Sequence, residues 1–594
     1  METHFMPITD AFQSSFSYFS LSKSMPPMLE APEKQWIPDP ADENAVRELH
    51  DALRIAPVFC KLLVQRGIYT FEAAKQFFRP DWSDLHDPFL MKDMAEATDR
   101  LTIAIQKKEK ILLYGDYDVD GVTSIALLYS FLEPLGAELD YYIPDRYKEG
   151  YGLSYEGIEY AKENGAALII AMDCGITARD ETRRARSYGI DLIICDHHLP
   201  GQLLPEANAI LDPKRPDCNY PYKELSGCGV TFKLAQAYAQ TQHLHPSALE
   251  ALLDLVAISI ASDIVPITGE NRTLSALGMQ RLNRTERTGL KALIEQSGRQ
   301  HPLTVSDIVF GLGPMINAAG RLADAGQAVR LLLSNETDTA ADYARILEYR
   351  NKLRREFDQR VAEEARALLT AEPDWEQRRS IVLYQKHWHK GVVGIVASRM
   401  VEQFSRPAIV LTESEGRLVG SARSVAGFDL YEGLRACKDL LISFGGHTHA
   451  AGLSLMPQNL QIFKDRFETI AHMALSHVTP APVINIAAEI ELKDITPKFW
   501  NILRQFAPFG PGNRNPVFAA KGVVNAGYSR LLTGNHLRLS VKQGDAPVFY
   551  GVAFGQGDAL PKILSGKPFD LCFTIEEQTW EERTSLQLMV KDLK

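Results

Sequence analysis

Between Lys110 and Pro213 the chain passes through five short apolar runs, KILLYG, AELDYYIP, ALIIAMD, DLIICDHH and NAILDP, each followed by turn residues or by a stretch with helical spacing. Near-continuous apolar runs of this length, separated by helical patterns, predict a parallel α/β sheet buried on both faces. The carboxyl ends of such strands gather at one edge, where α/β sheets bind ligands. Acidic and imidazole residues stand at these ends. Asp116, Asp118 and Asp120 follow the first run at alternate positions, Asp173 closes ALIIAMD, and Asp196, His197 and His198 close DLIICDHH. Asp263 follows a further apolar run in AISIASDIVP.

One Asp at a strand end is commonly a cap for the next helix. Four such sites with an adjacent histidine pair are harder to explain that way, and carboxylates crowded at one edge repel one another unless a divalent cation neutralises them. A calcium loop of EF-hand form is excluded, because the chain continues into VTSIALLYSFLE with no Glu at the twelfth loop position. Imidazole and carboxylate together suit manganese, magnesium or zinc, and oxygen-dominated ligation favours Mn²⁺ or Mg²⁺. Two ions roughly 3.5 to 4 Å apart would fit phosphoryl transfer.

At 594 residues the chain exceeds one hydrophobic core, and three or four compact units are expected. Residues 1 to about 35 are rich in Ser, Met and Pro and read as a floppy leader; the first helical pattern is ENAVRELHDALRI. The expected order is a leader and helical region over 1–90, a catalytic α/β domain over 91–335 and a connecting helix over 336–372. A second α/β domain over 373–478 and a β-barrel of oligonucleotide-binding type over 479–594 complete it. The connector, ADYARILEYRNKLRREFDQRVAEEARALL, has no Gly or Pro and reads as an exposed helix with Glu348–Lys352 and Glu356–Arg360 pairs.

A net charge of -11 argues against a uniformly basic nucleic-acid coat and leaves room for a local basic groove. The seven cysteines show neither C-x-x-C pairs nor a disulfide framework, and the N-terminus lacks a secretory pattern. The most apolar segments are too short for a membrane span. These features predict a soluble cytoplasmic protein. Donors for phosphate oxygens occur in the second α/β region, with Ser421, Arg423 and Ser424 in GRLVGSARSVAGFDL and Gly445, Gly446, His447 and His449 in SFGGHTHAAG.

The set YGDYDVDG, MDCG, CDHH and ASDIVP resembles, in order and approximate spacing, the motifs of the DHH phosphoesterase superfamily. GGHTHAAG is similar to the GGH motif of the accompanying DHHA1 domain, which contacts substrate. WHKGVVGIVASRM, GSARSVAGFDLYEGL, GPMINAAGRLADA and PDRYKEGYGL resemble the single-stranded-DNA exonucleases of that superfamily, over about residues 40 to 594. The resemblance implies a catalytic set of Asp118, Asp120, Asp173, His197, His198 and Asp263. It implies one Mn²⁺ or Mg²⁺ ion held by Asp116, Asp118 and Asp173 and a second by Asp120, Asp173, His197 and Asp263, with Asp173 bridging. Asp196 would orient a histidine. Many superfamily members carry a metal-binding His where Tyr114 stands.

By the same resemblance Arg146, Arg321, Ser421, Arg423 and His447 face the substrate, and the Ser421–Arg423 pair takes a 5′-terminal phosphate. The implied activity is 5′ to 3′ release of nucleoside 5′-monophosphates from single-stranded DNA in repair and recombination. The implied partners are single-stranded DNA, a single-stranded-DNA-binding protein and a helicase, met by a monomer. A pyrophosphatase or dinucleotide hydrolase of the superfamily would lack the β domain after Val483, and an inactive scaffold would have lost metal ligands.

Overall fold

The computed structural model describes residues 34–322, 324–476, 483–580 and 583–594. The expected leader lies outside the described residues, as do the first six residues of the Pro-bearing boundary HVTPAPVINI. Two compact units emerge where chain length suggests three or four. Arg79–Thr479 with Pro508–Asn513 make the larger, and residues up to Phe78 with Pro480–Ala507 and Arg514–Lys594 make the other.

The larger unit begins with a five-stranded, wholly parallel sheet. Its spatial order is Glu138–Tyr142, Lys110–Gly115, Ala166–Met172, Asp191–Cys195 and Ala209–Leu211. Alternate residues of each strand enter different cores. Ile111, Leu113, Leu168, Ile170 and Ile193 join one, and Leu112, Tyr114, Ile169, Ala171 and Ile194 the other. Both faces are therefore covered, which is why the strands read as continuous apolar runs. The chain leaves Lys110–Gly115 toward Glu138–Tyr142 and then returns to the opposite side at Ala166–Met172. The strand order reverses there, which opens a crevice at the carboxyl ends of the two central strands.

The helix Thr337–Ala371 explains why the two α/β regions form one unit. At 1.5 Å per residue its 35 residues span about 52 Å. Ala340, Ala344 and Leu347 pack into the first core, while Val361, Ala362, Ala365 and Leu369 pack into that of the second α/β region. The helix is thus half-buried rather than exposed, and Glu348 pairs with Arg355 instead of Lys352. The second sheet runs Leu441–Gly446, Ala450–Leu455, Arg417–Arg423, Ala408–Ser414, Ile381–Tyr384, antiparallel except for its last pair.

In the other unit a seven-stranded sheet closes on itself where Phe518–Asn525 pairs with both Phe569–Trp580 and His536–Lys542, as a small barrel requires. The N-terminal region is not wholly helical. Gln35–Pro38 forms a parallel strand with Val483–Ile486, and Phe59 packs its ring on Phe499 at 4.7 Å, which merges the first helices with the barrel. Among the described residues no helix is long and apolar enough to cross a membrane. All seven cysteines are buried and free.

Candidate metal centre

The crevice at the strand reversal collects the acidic residues. Asp116 follows the strand Lys110–Gly115 directly and is 1% exposed. Asp118 caps the helix Val119–Leu132, its Oδ1 accepting from the amides of Asp120 at 2.9 Å and Gly121 at 3.3 Å. Asp120 in the first turn accepts from the amides of Gly227 at 2.6 Å and Cys228 at 2.8 Å and from Ser259 Oγ at 2.6 Å. Those two amides begin the helix Gly227–Thr241, whose N-terminus favours a negative charge. Gly227 is required for this approach, because a Cβ there would stand 2.7 Å from Asp173 Cβ and 3.0 Å from Asp120 Oδ2.

Asp173 sits in the left-handed region with φ 60°, unusual for a residue other than glycine. Its carbonyl accepts from the Tyr151 hydroxyl at 2.9 Å. Asp196 uses Oδ1 to accept from the backbone of His197 at 2.7 Å and the ring Nδ1 of His198 at 2.7 Å, and Oδ2 to accept from Ile176 N at 2.9 Å. Asp263 follows a helix, Leu253–Ser262, so one of the four sites anticipated at strand ends is a helix end.

Two groups of ligand atoms result, each with its members within 4.8 Å of one another. Asp116, Asp118 and Asp173 form one, and Asp120, His197 and Asp263 the other. His197 Nε2 lies 3.2 Å from Asp173 Oδ1, 3.6 Å from Asp263 Oδ2 and 3.7 Å from Asp120 Oδ2. Asp173 thereby touches both groups. His198 comes together with Asp173 and His197 in a third group.

The donors fit divalent cations. Asp116 Oδ1 and His197 Nε2 are buried without a hydrogen-bond partner, a costly state unless something else satisfies them. Burial, compounded by neighbouring carboxylates, holds the pKa of Asp116 and Asp173 well above the usual range. The same causes raise Asp120 to about 6 and Asp263 to about 9. Burial and the adjacent His198 push His197 down to about 3, so its imidazole is neutral and available for ligation at physiological pH. Asp196 is the exception, since the His198 hydrogen bond and charge outweigh burial and hold it at about 2.

Tyr114 does not face this centre. Its hydroxyl donates to Gly152 O at 2.9 Å and accepts from Ser154 N at 3.1 Å, and its ring stacks on Tyr142. The first ligand group is accordingly all carboxylate.

A group of cations adjoins the acids. Arg146 lies over the Tyr117 ring at 4.7 Å and within electrostatic reach of Asp116, Arg321 and Arg423. Arg321 donates to Gly391 O at 3.1 Å, its carbonyl accepts from the Tyr147 hydroxyl, and burial beside Arg146 and Arg354 lowers it to about 10. Arg423 donates to Ser421 Oγ at 3.2 Å and Ala422 O at 2.8 Å. Gly394 passes close to this pair, a Cβ there standing 3.1 Å from Ser421 Oγ. His447 is not drawn into the group by a hydrogen bond; it is exposed, and its Nδ1 accepts from the amide of His449 within its own loop.

Sequence reasoning missed Tyr151, Gly227 and Ser259, which hold the carboxylates, and Arg354, Lys390 and Asp358, which stand beside the arginines. Tyr151 and Lys390 fall inside the motifs PDRYKEGYGL and WHKGVVGIVASRM without being singled out there, and each of the six acts on a residue remote in sequence.

The chain matches the family model of the DHH family N-terminal domain over residues 110–260, of the DHHA1 domain over 378–473 and of the RecJ OB domain over 486–592. It is 38% identical to the single-stranded-DNA-specific exonuclease RecJ of Bacillus subtilis (strain 168), over 95% of this chain and 71% of that one. It is 33% identical to RecJ of Escherichia coli (strain K12), over 91% of this chain and 96% of that one. The crystal structure of RecJ in complex with Mn²⁺ from Thermus thermophilus superposes with a TM-score of 0.80 at 29% identity, covering 95% of this chain and 79% of that chain. The Mg²⁺ complex from the same organism gives 0.75 at 27% identity, covering 95% and 78%.

Proposed function

The chain belongs to the RecJ family of single-stranded-DNA-specific exonucleases, and on that premise we propose that it removes nucleoside 5′-monophosphates from the 5′ end of single-stranded DNA at the carboxylate centre. It is a metal-dependent exonuclease using Mn²⁺ or Mg²⁺. The observation that carries the reading is His197 Nε2, buried and unpartnered among Asp120, Asp173 and Asp263, beside a second carboxylate group that shares Asp173.

In this reading Asp116, Asp118 and Asp173 hold one ion and Asp120, Asp173, His197 and Asp263 the other. Such a pair supplies an activated water and neutralises charge on the leaving oxygen. The protein supplies the geometry. Asp118 and Asp120 are fixed by helix-terminal amides. Asp196 fixes the His198 ring through Nδ1, and the Tyr151 hydroxyl lies 3.3 Å from its Nε2. Arg146 and Arg321 take phosphates next to the scissile bond, Ser421 with Arg423 takes the 5′-terminal phosphate, and His447 also meets the substrate. The contacts from Arg321 and Tyr147 to Gly391 and Lys390 join the two α/β regions around this path. A passage that admits one strand and not a duplex would select single-stranded DNA by shape.

The domain limits that serve this reading are 91–335 for the catalytic domain, 336–372 for the connector, 373–478 for the DHHA1 domain and 479–594 for the barrel, preceded by 1–90. We place the enzyme in the cytoplasm as a monomer, consistent with seven free cysteines. An enzyme that takes only unpaired strands needs them supplied, which fits a helicase and a single-stranded-DNA-binding protein as partners.

The test is incubation of the protein with 5′-labelled single strands, matched duplex or pyrophosphate, with Mn²⁺ or EDTA. Labelled mononucleotide from single strands in Mn²⁺ alone is the expected result. Turnover of pyrophosphate without release of nucleotides from DNA refutes the assignment.

A further inference from the structure

A second cavity, of about 480 Å³, opens in the larger unit away from the carboxylates. That volume lies within the range of small-molecule sites. Its chemistry comes from three tyrosines, Tyr129, Tyr141 and Tyr343, two arginines, Arg287 and Arg330, and one acid, Glu133.

Arg287 is held with spare donors. Its side chain is 15% exposed, and among the described residues it gives one hydrogen bond, from Nη1 to Ser130 Oγ at 3.0 Å. Its Nε is buried with no hydrogen-bond partner. Asp254 Oδ1 stands 3.7 Å from that Nε, beyond hydrogen-bond range, and accepts instead from Leu255 N at 2.8 Å, while Asp254 Oδ2 accepts from Thr285 Oγ1 at 2.7 Å. A guanidinium has five N–H donors in a fixed fork, so most of this one's capacity is unspent. Arg330 pairs with Asp324 at 2.5 Å, bonds the Tyr141 hydroxyl and lies over the Tyr343 ring at 5.9 Å, with its side chain 40% exposed. Thr339, in the first turn of the 35-residue helix Thr337–Ala371, also lines the cavity, its hydroxyl donating to Glu336 Oε2 at 3.0 Å.

We infer that this cavity binds a nucleoside monophosphate, with the phosphate between Arg287 and Arg330 and the base against the tyrosine rings. Two guanidiniums recognise a phosphate monoester. Aromatic faces accept any base. Glu133 would repel a bare phosphate but accepts from a sugar hydroxyl or a base amino group, so the lining suits the whole nucleotide better than its phosphate alone. Tyr129 and Ser130 lie on the helix Val119–Leu132, whose first turn carries Asp120. One rigid element therefore serves both sites, about 14 Å apart along its axis. That the nucleotide is the enzyme's own product rests on the proposed exonuclease reading; that the cavity takes a nucleotide does not.

Calorimetric titration of the full chain carrying Arg423→Ala, in EDTA, tests this, because binding at the metal centre and at the 5′-phosphate pair is suppressed there. The probes are dAMP, AMP, adenosine and inorganic phosphate. Saturable dAMP binding is expected, retained in His197→Ala and weakened at least tenfold in Arg330→Gln and in Tyr343→Leu, with adenosine and phosphate each at least tenfold weaker than dAMP. Two substitutions on different elements guard against one of them misfolding. A preference for AMP over dAMP upholds the site and assigns it to the ribonucleotide pool. Absence of dAMP binding in EDTA, its loss in His197→Ala, undiminished affinity in both cavity variants, or phosphate binding as tightly as dAMP each overturns the inference. Nuclease activity is read in a separate assay, so an inactive enzyme that binds dAMP, or an active one that does not, shows which of the two readings has failed.

Discussion

The carboxylate centre and the arginine group beside it hold opposite charges by opposite means. Asp118, Asp120 and Asp196 are locked by backbone amides and hydroxyls of the elements that carry or face them, so their geometry is complete before any ligand arrives. Arg146, Arg321 and Arg423 come from three separate segments and rest on carbonyls, a hydroxyl and a tyrosine ring. Among the described residues no carboxylate forms an ion pair with any of the three. The first cluster is a fixed cage for cations. The second is an assembly of mutually repelling cations that an anion completes. Chemistry should therefore fail when the first is damaged, and substrate capture when the second is.

The sharpest break in this contrast comes from Asp120→Ala or His197→Ala. Each removes a cage residue, and kcat on 5′-labelled single strands is expected to fall at least about 10³-fold, equivalent to roughly 4 kcal/mol of transition-state stabilisation. Binding of the same strands, measured by fluorescence anisotropy, should change by less than about threefold. Retained turnover in either variant removes that residue from the metal centre.

Arg423→Ala tests the other side. A lost hydrogen bond to a charged group costs roughly 1.5 to 3 kcal/mol, so KM for 5′-phosphorylated strands should rise about 10- to 100-fold with kcat nearly kept. Strands with a 5′-hydroxyl should be affected much less. A fall in kcat at constant KM would mean that Arg423 belongs functionally with the cage.

Asp196→Asn is a milder probe, because the residue acts through His198. Outer partners of this kind are worth about tenfold or somewhat more in activity. The change removes the carboxylate that holds the His198 ring, and the alkaline limb of the kcat pH profile should move to lower pH as the imidazolium loses its counter-charge. An unchanged profile would leave Asp196 as a loop fastener that binds Ile176 N and nothing more.

The same contrast decides what the sequence discloses. The cage was legible because strand periodicity places Asp116, Asp173 and Asp196 at the end of an apolar run, where local pattern and function coincide. Asp263 was legible as a residue and misread as to setting, since its apolar run is a buried helix of strand-like composition. The residues that lock the cage were invisible: Ser259 lies 139 positions from the Asp120 it binds, and Gly227 matters only because a Cβ would collide with Asp173. Arg354 and Asp358 sit on a helix whose charges read as a solvated face. Only the packing of that helix between two cores shows that Asp358 is buried with Arg399 at 2.6 Å.

The smallest expected effect concerns stability, and its sign follows from the cage alone. Burial and neighbouring carboxylates raise Asp120 to about 6 and Asp263 to about 9, against an unfolded value of about 4. Between those limits these two carboxyls bind more protons in the metal-free folded state than in the unfolded one, so their contribution to stability falls as pH rises from about 4 to about 9. The lowered His197 opposes this only below its ordinary value of 6.5. Bound Mn²⁺ holds the same groups as anions and should remove that slope. The measurement is Tm at pH 5 and pH 8.5, in EDTA and in Mn²⁺. Titrations elsewhere in the chain contribute to both series, so the difference between them isolates the cage. The Tm gain from Mn²⁺ should be several degrees larger at the higher pH, and the excess should shrink in Asp263→Asn, which removes the more strongly raised of these two carboxyls. Parallel curves would mean that the carboxylates are already neutralised without metal, and that the cage does not depend on a cation as the arginines depend on an anion.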